Sequence, residues 1–350
     1  MKKLSKILIL LWSITSLASG TLPGKFTKQK TIKKSVAVNP NATLDIHNKY
    51  GNVMVTTWNE NTIEIDVVIK LSSDDEKWID NRLADINVDF SGGKSLFVAK
   101  TNFGKPLKTS RNSSIEVNYT VKIPKNGNLK VTNHYGGIIT HDLVGETELE
   151  CKYGKVSLGK LNNVKNSIKI DYCSKSTIEY INGGDINARY SGLSIGDFKN
   201  VSLNSGYSDV TFQSGDHLNF KSNYGKIILG AINKLEGSGN YLTIKIEELF
   251  GSLKLNTNYS NFNIDMIGSK AKDITINANY TNIKMFHATN YHYDFSVSTK
   301  YGNFKTNAEL DYDTKIETST SKSYSGFYKK AGNNQITINS NYGNVQLNIQ

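Results

Sequence analysis

Eleven tyrosines recur along this chain at near-constant spacing: Tyr135, Tyr153, Tyr172, Tyr190, Tyr207, Tyr224, Tyr241, Tyr259, Tyr280, Tyr301 and Tyr342. The first ten stand 17 to 21 residues apart. The last gap covers about two periods, and Tyr324-Ser325-Gly326-Phe327 inside it reads as a degenerate copy. Tyr50 marks an isolated early one. A fixed period of this size is the mark of a repeat architecture, in which each unit buries its apolar face only against its neighbours.

Within the unit the period is two. With Tyr as zero, apolar residues fall at −6, −4, +3 and +5, as in Ile274, Ile276, Ile283 and Met285 around Tyr280. Alternation at two residues is the strand signal, because successive side chains point to opposite faces. Tyr shares parity with −6 and −4, so it is predicted to face the core at a corner, where its large ring is buried. The odd step from Tyr to +3 requires a turn or bulge. Gly51, Gly136, Gly154, Gly225, Gly302 and Gly343 occupy that step. A further apolar position at +8, as in Leu161, Phe198 and Ile267, predicts a third short side.

At roughly 3.3 Å per residue such a unit closes on a path of about 60 Å. One turn signal per period suits a parallel β-solenoid (β-helix) better than an array of hairpins. The expectation is an all-β chain with about 12 rungs stacked at roughly 4.8 Å. No proline follows Pro124, which agrees, because proline costs a central strand a ladder hydrogen bond.

Three segments are expected. Residues 1–20 carry Lys2, Lys3 and Lys6, an apolar stretch over 7–17 and small residues after it, the pattern of an export signal. The stretch is too short for a membrane span, so no transmembrane segment remains after signal removal. No Cys lies near the cleavage site, so the chain is not read as a lipoprotein. Residues 21–125 are predicted to form a strand-rich cap with one short helix at about 73–87, started by capping side chains and acids from Ser72 to Glu76. Residues 126–350 are the solenoid repeats. The chain ends on a strand with no evident cap, which predicts an open edge. Cys151 and Cys173 stand at −2 and +1 of adjacent units, which places them on different faces and argues against a disulfide.

Leu44-Asp45-Ile46-His47-Asn48-Lys49-Tyr50-Gly51-Asn52-Val53, then Trp58-Asn59, Ile63 to Val67, Val117 to Pro124 and the Gly-centred strand repeats resemble an exported bacterial β-strand-repeat family of largely unknown function, whose members are regarded as candidate adhesins. The resemblance covers most of the mature chain and implies a β-helical, extracytoplasmic protein (periplasmic, surface-bound or secreted). It supplies no catalytic residues.

The polar parity of the repeat carries the functional expectation. Positions −5, −3 and −1 hold Lys221, Asn223, Lys254, Asn256, Asn258, Asn277, Asn279, Lys300, Asn339 and Asn341. Stacked, they predict a flat face of amides and lysines, partly held by Asn ladders. With a formal net charge of +11 and an export signal, an anionic polysaccharide or another envelope component is the expected partner. Nucleic acid is not, because the basic residues are spread and interleaved with acids. The oligomeric state is not legible in the sequence.

No catalytic, cofactor or metal site is expected. The six histidines have no zinc-like spacing with a third ligand, and no nucleophile or phosphate-loop motif stands out. The alternative is a polysaccharide-cleaving β-helix enzyme, which would align acids on adjacent rungs. Asp185, Asp197, Asp209 and Asp265 fall at −5, +7, +2 and +6 and do not align.

Overall fold

The alternation read from the repeats appears as strands throughout a computed structural model that describes residues 24–105, 109–332 and 334–350. The predicted export signal and its cleavage site lie outside the described residues. Among the described residues the chain is all-β apart from one helix, and it falls into two units, one ending at Ser174 and the other beginning at Lys175.

The first unit contains β1 (Phe26–Ala37), β2 (Thr43–Lys49), β3 (Val53–Trp58), β4 (Thr62–Ser73), α1 (Glu76–Asp85), β5 (Asn87–Gly92), β6 (Leu96–Asn102), β7 (Ser114–Pro124), β8 (Asn128–His134), β9 (Gly137–Thr140), β10 (Thr147–Lys152), β11 (Lys155–Leu161) and β12 (Asn166–Asp171). Copies of the repeat lie side by side in parallel and in register: Leu44 pairs with Leu129, Leu129 with Thr147, and Thr147 with Asn166. After the tyrosine the register resumes, with Val53 opposite Ile138 and Gly137 opposite Lys155. Tyr50 therefore belongs to a full copy of the repeat. On its other side that copy is covered by β6, parallel to β2, and by β7, parallel to β3. Antiparallel strands attach there: β1 to β4, β4 to β7, and β5 to β6. The helix is shorter than the 73–87 expected. Ser72 and Ser73 finish β4, and Asp75 caps the helix by accepting from the Trp78 amide at 3.1 Å.

The second unit contains β13 (Ser176–Arg189), β14 (Gly192–Asn258), β15 (Asn261–Ile267), β16 (Ile274–Asn279), β17 (Asn282–His287), β18 (Tyr293–Lys300), β19 (Phe304–Lys305), β20 (Asp311–Glu317), β21 (Ser321–Tyr328), β22 (Gln335–Asn341) and β23 (Val345–Ile349). The 67 residues of β14 are one hydrogen-bonded run, not one straight strand. The run bends at Tyr207, Tyr224 and Tyr241, where φ is 54°, 58° and 57°.

The order of packing departs from the order of the chain at the C-terminus. Strand β22 lies between β16 and β18, with Ile276, Ile338 and Val297 side by side. Likewise β23 lies between β17 and β19, with Ile283, Val345 and Phe304 aligned. The last strand is thus interior and not the open edge expected. The free side of β18 is taken by antiparallel β21, which pairs with β20. Tyr324 belongs to this cap and is buried, so it is not a copy of the repeat.

Two parity expectations are overturned for one reason. All twelve tyrosines of the repeat adopt a positive φ, between 50° and 65°. A residue in that region breaks the strand alternation, so the tyrosine side chain leaves the core and the next residue enters it. The rings are 41–59 % exposed, not buried at a corner. In the second unit the +1 residues Ser191, Ser208, Ser260 and Thr281 are buried. The hydroxyls of Ser208, Ser260 and Thr281 accept the N–H of the adjacent copy, as from Leu242 to Ser260 Oγ at 3.0 Å and from Ser260 to Thr281 Oγ1 at 3.1 Å. Where +1 is Gly343, a Cβ would run into the Thr281 carbonyl. The same inversion at Tyr172 turns Cys173 inward. Both cysteines are fully buried, not on different faces and not joined in a disulfide, and Cys173 Sγ donates to the Cys151 carbonyl at 3.3 Å.

Beneath the C-terminal cap, His287 is buried among Tyr291, Tyr293 and Tyr328. Its Nε2 meets the Tyr293 hydroxyl at 3.1 Å and its Nδ1 the Ala288 carbonyl at 3.1 Å. Burial holds its pKa below the ordinary 6.5. The unfolded chain therefore takes up a proton first as pH falls. The stability conferred by the neutral ring is complete above about pH 6.5 and is lost below it, toward the lower folded value. Thermal melts should show the wild-type midpoint dropping between about pH 7 and pH 5 more steeply than that of His287→Gln. Parallel pH profiles for the two proteins would reject this.

Candidate functional site

In the second unit the strands that precede the tyrosines turn −4 and −2 to the core and −5, −3 and −1 outward, whereas in the first unit the −1 residue Asp171 is buried. All ten predicted face residues lie in the second unit, in three neighbouring columns. The −1 column is a ladder of amides. Asn240 donates to Asn223 at 2.9 Å, Asn258 to Asn240 at 2.8 Å, Asn279 to Asn258 at 2.6 Å and Asn341 to Asn279 at 2.8 Å. Lys300 follows in register beside Asn341. The −3 column repeats the device, with Asn277 donating to Asn256 and Asn339 to Asn277, both at 3.0 Å. The ladder forms because parallel in-register pairing sets identical side chains at one strand spacing. Inside each column an amide spends one N–H and one oxygen lone pair on its neighbours and keeps a second N–H for an outside partner.

Lys221, Lys254 and Lys300 are exposed, but they occupy three different columns and form no row. The sequence reading missed Asn240, although it stands directly before Tyr241 like its four ladder partners. It also missed the +2 column, where the Asn344 backbone N–H donates to Asn282 Oδ1 at 3.2 Å and the Asn303 backbone N–H to Asn344 Oδ1 at 3.1 Å.

The first unit builds the equivalent face from ion pairs: Lys130 with Glu148 at 3.0 Å, and Glu150 with Lys152 at 2.9 Å and Lys169 at 3.3 Å. Hydrogen bonding to Lys152, and then to Lys169, holds the Glu150 carboxyl below the usual carboxylate range. The acids weighed as catalytic candidates are dispersed. Asp209 faces Lys226 at 3.5 Å and Asp265 faces Lys245 at 2.8 Å. Among the described residues, no three His, Cys, Asp or Glu side chains gather where a metal ion could be held. Among the same residues, no helix is long and apolar enough to cross a membrane.

Beside the amide columns runs the tyrosine strip. In the first unit Tyr50, Tyr135, Tyr153 and Tyr172 stack with centroids 5.4, 5.1 and 5.0 Å apart, and Phe103 closes the Tyr50 end edge-on. In the second unit Tyr190, Tyr207, Tyr224, Tyr241, Tyr259, Tyr280, Tyr342 and Tyr301 stack in that order. Neighbouring rings there stand 4.7–5.1 Å apart.

No protein-family model matches this chain, and no curated protein matches it in sequence. Among solved structures it is similar to a "putative adhesin" from Parabacteroides merdae, at 12 % identity and TM-score 0.42, over 75 % of this chain and 97 % of that one. A second "putative adhesin", from Parabacteroides distasonis, gives 11 % identity and TM-score 0.39, over 74 % and 97 %. A "putative cell adhesion protein" from Clostridium sporogenes gives 12 % identity and TM-score 0.21, over 92 % and 100 %. TM-scores this low do not establish a shared fold.

Proposed function

We propose that this chain is an exported, non-enzymatic protein of the cell envelope, coiled as a parallel β-solenoid of about 12 rungs, acting as an adhesin-like binder or a scaffold. It then stands with the exported β-strand-repeat proteins that its sequence resembles. Its working surface is the polar repeat face carrying Lys221, Lys254 and Lys300, and its partner is an anionic polysaccharide or another envelope component. What supports this reading is the in-register array of Asn amides with exposed lysines beside it. Such an array meets an extended polymer at many points, each weak, and gains avidity from their number. Of the acids that a polysaccharide-cleaving enzyme would need side by side, Asp209 and Asp265 instead face separate lysines.

Exposed charges are screened beyond about 10 Å at 0.1 M salt, so retention should fall as salt rises. The protein should be retained on polygalacturonate at low salt, and the triple change Lys221→Gln, Lys254→Gln, Lys300→Gln should weaken retention without altering the melt. Absence of retention at every salt concentration would remove the reading. Release of new reducing ends by the wild type would favour the enzyme instead.

A further inference from the structure

In the second unit the residue at the positive φ is Tyr in every copy, although Gly or Asn adopts that backbone with less strain. The residue after it varies among Ser, Gly, Leu and Thr. Backbone geometry therefore does not explain the tyrosines. Stacking explains only the ring faces, which neighbours 4.7–5.1 Å away cover. Solvent meets the ring edges and the phenol hydroxyls. A ring edge carries the positive end of the aromatic quadrupole, so with the hydroxyls it presents a row suited to acceptor oxygens. The covered faces are closed to cations and to stacked sugar rings.

The flanks are equally specific in chemistry. On one side stand Asn258, Asn279 and Asn341, each with an amide N–H left over from the ladder. On the other stand Asn261, Asn282 and Asn344. The segments 238–243, 256–261, 277–282 and 339–344 contain no charged residue.

We propose that this strip of phenols and amides is a binding surface for an extended, β-linked neutral polysaccharide laid along the stack. Sugar hydroxyls meet one phenol and its flanking amides at each copy. An extended pyranose chain advances close to one copy per sugar and stays in step with the column. An extended peptide, at about 3.3 Å per residue, falls out of step. A protein partner also seeks an apolar centre to desolvate, and the faces that could provide one are already covered. This surface needs no lysine and does not rest on the charge-mediated reading above.

The test is retention of the protein on microcrystalline cellulose across a salt series, with tyrosine fluorescence titrated by cellohexaose and polygalacturonate as the anionic comparison. Wild type should be retained on cellulose at low and high salt alike. Tyr241→Asn, Tyr259→Asn and Tyr280→Asn together should lower retention about tenfold or more, because contacts along a polymer multiply. The matching Phe triple variant keeps the stack but lacks the hydroxyls and should lose as much. The lysine triple variant should bind cellulose like wild type. Absence of wild-type retention on cellulose, or equal retention by wild type and the Phe triple, overturns the proposal. Binding to polygalacturonate alone, abolished by salt, removes it while leaving the lysine reading intact. Self-association that the Asn triple abolishes, with no glycan retained, would make the strip an interface between copies and likewise overturn it.

Discussion

Ile276→Asp should unfold the second unit or leave it far less stable, whereas Asn277→Asp, one residue on, should cost about 1 kcal/mol or less. Ile276 is fully buried, between Leu255 and Ile338 of the neighbouring copies. Losing its side chain forfeits about 1.5–3 kcal/mol of apolar burial. The larger penalty is the carboxylate, which finds no partner among those side chains and costs several kcal/mol more, or stays protonated at a similar cost. Asn277 is exposed and donates to Asn256 while accepting from Asn339. Aspartate keeps the second bond and loses the first. Urea denaturation of both variants gives the comparison directly. Equal losses at the two sites would mean that inward and outward positions have been exchanged.

That contrast tests the part of the fold that was legible in the sequence. The period, the parity of −6 and −4 and the alignment of copies follow from one alternating pattern, because a slip by one residue would turn every apolar side chain outward. Leu44 opposite Leu129 and Ile276 opposite Ile338 both obey it. The outward amides follow from the same parity, so the ten face residues fall in adjacent columns. Parity fails where the backbone leaves the extended region. Tyrosine is a poor candidate for positive φ, so nothing in its identity signalled the inversion that exposes the rings and buries Cys173. The insertion of the last copy between those of Tyr280 and Tyr301 was equally hidden. Copies with near-identical edges pair interchangeably, and the 41-residue gap before Tyr342 does not say which neighbour it takes. The cap built from β20 and β21 looked like a degenerate repeat because antiparallel and parallel strands share an alternation of two.

Tyr259→Pro should be among the most destabilising single changes in the strip, and Tyr259→Asn nearly neutral. Tyr259 has φ of 52°, and its N–H donates to the Asn279 carbonyl at 2.9 Å. Proline holds φ near −65° and has no N–H, so both features are lost, at a cost of about 3 kcal/mol or more. Asparagine keeps the N–H and accepts positive φ readily. It gives up ring contacts with Tyr241 at 5.1 Å and Tyr280 at 4.8 Å, each contributing about 0.5–1.5 kcal/mol. Relief of the left-handed strain returns about 1–2 kcal/mol, so the two effects should roughly cancel. Alanine loses the ring contacts and keeps most of the strain, so it should fall between the other two. The order Asn, Ala, Pro in chemical denaturation is the expected result. If Asn were as damaging as Pro, the stack and not the backbone would dominate stability at the corner. The tyrosines would then need no ligand to account for them, and the case for a neutral glycan would rest on the binding data alone.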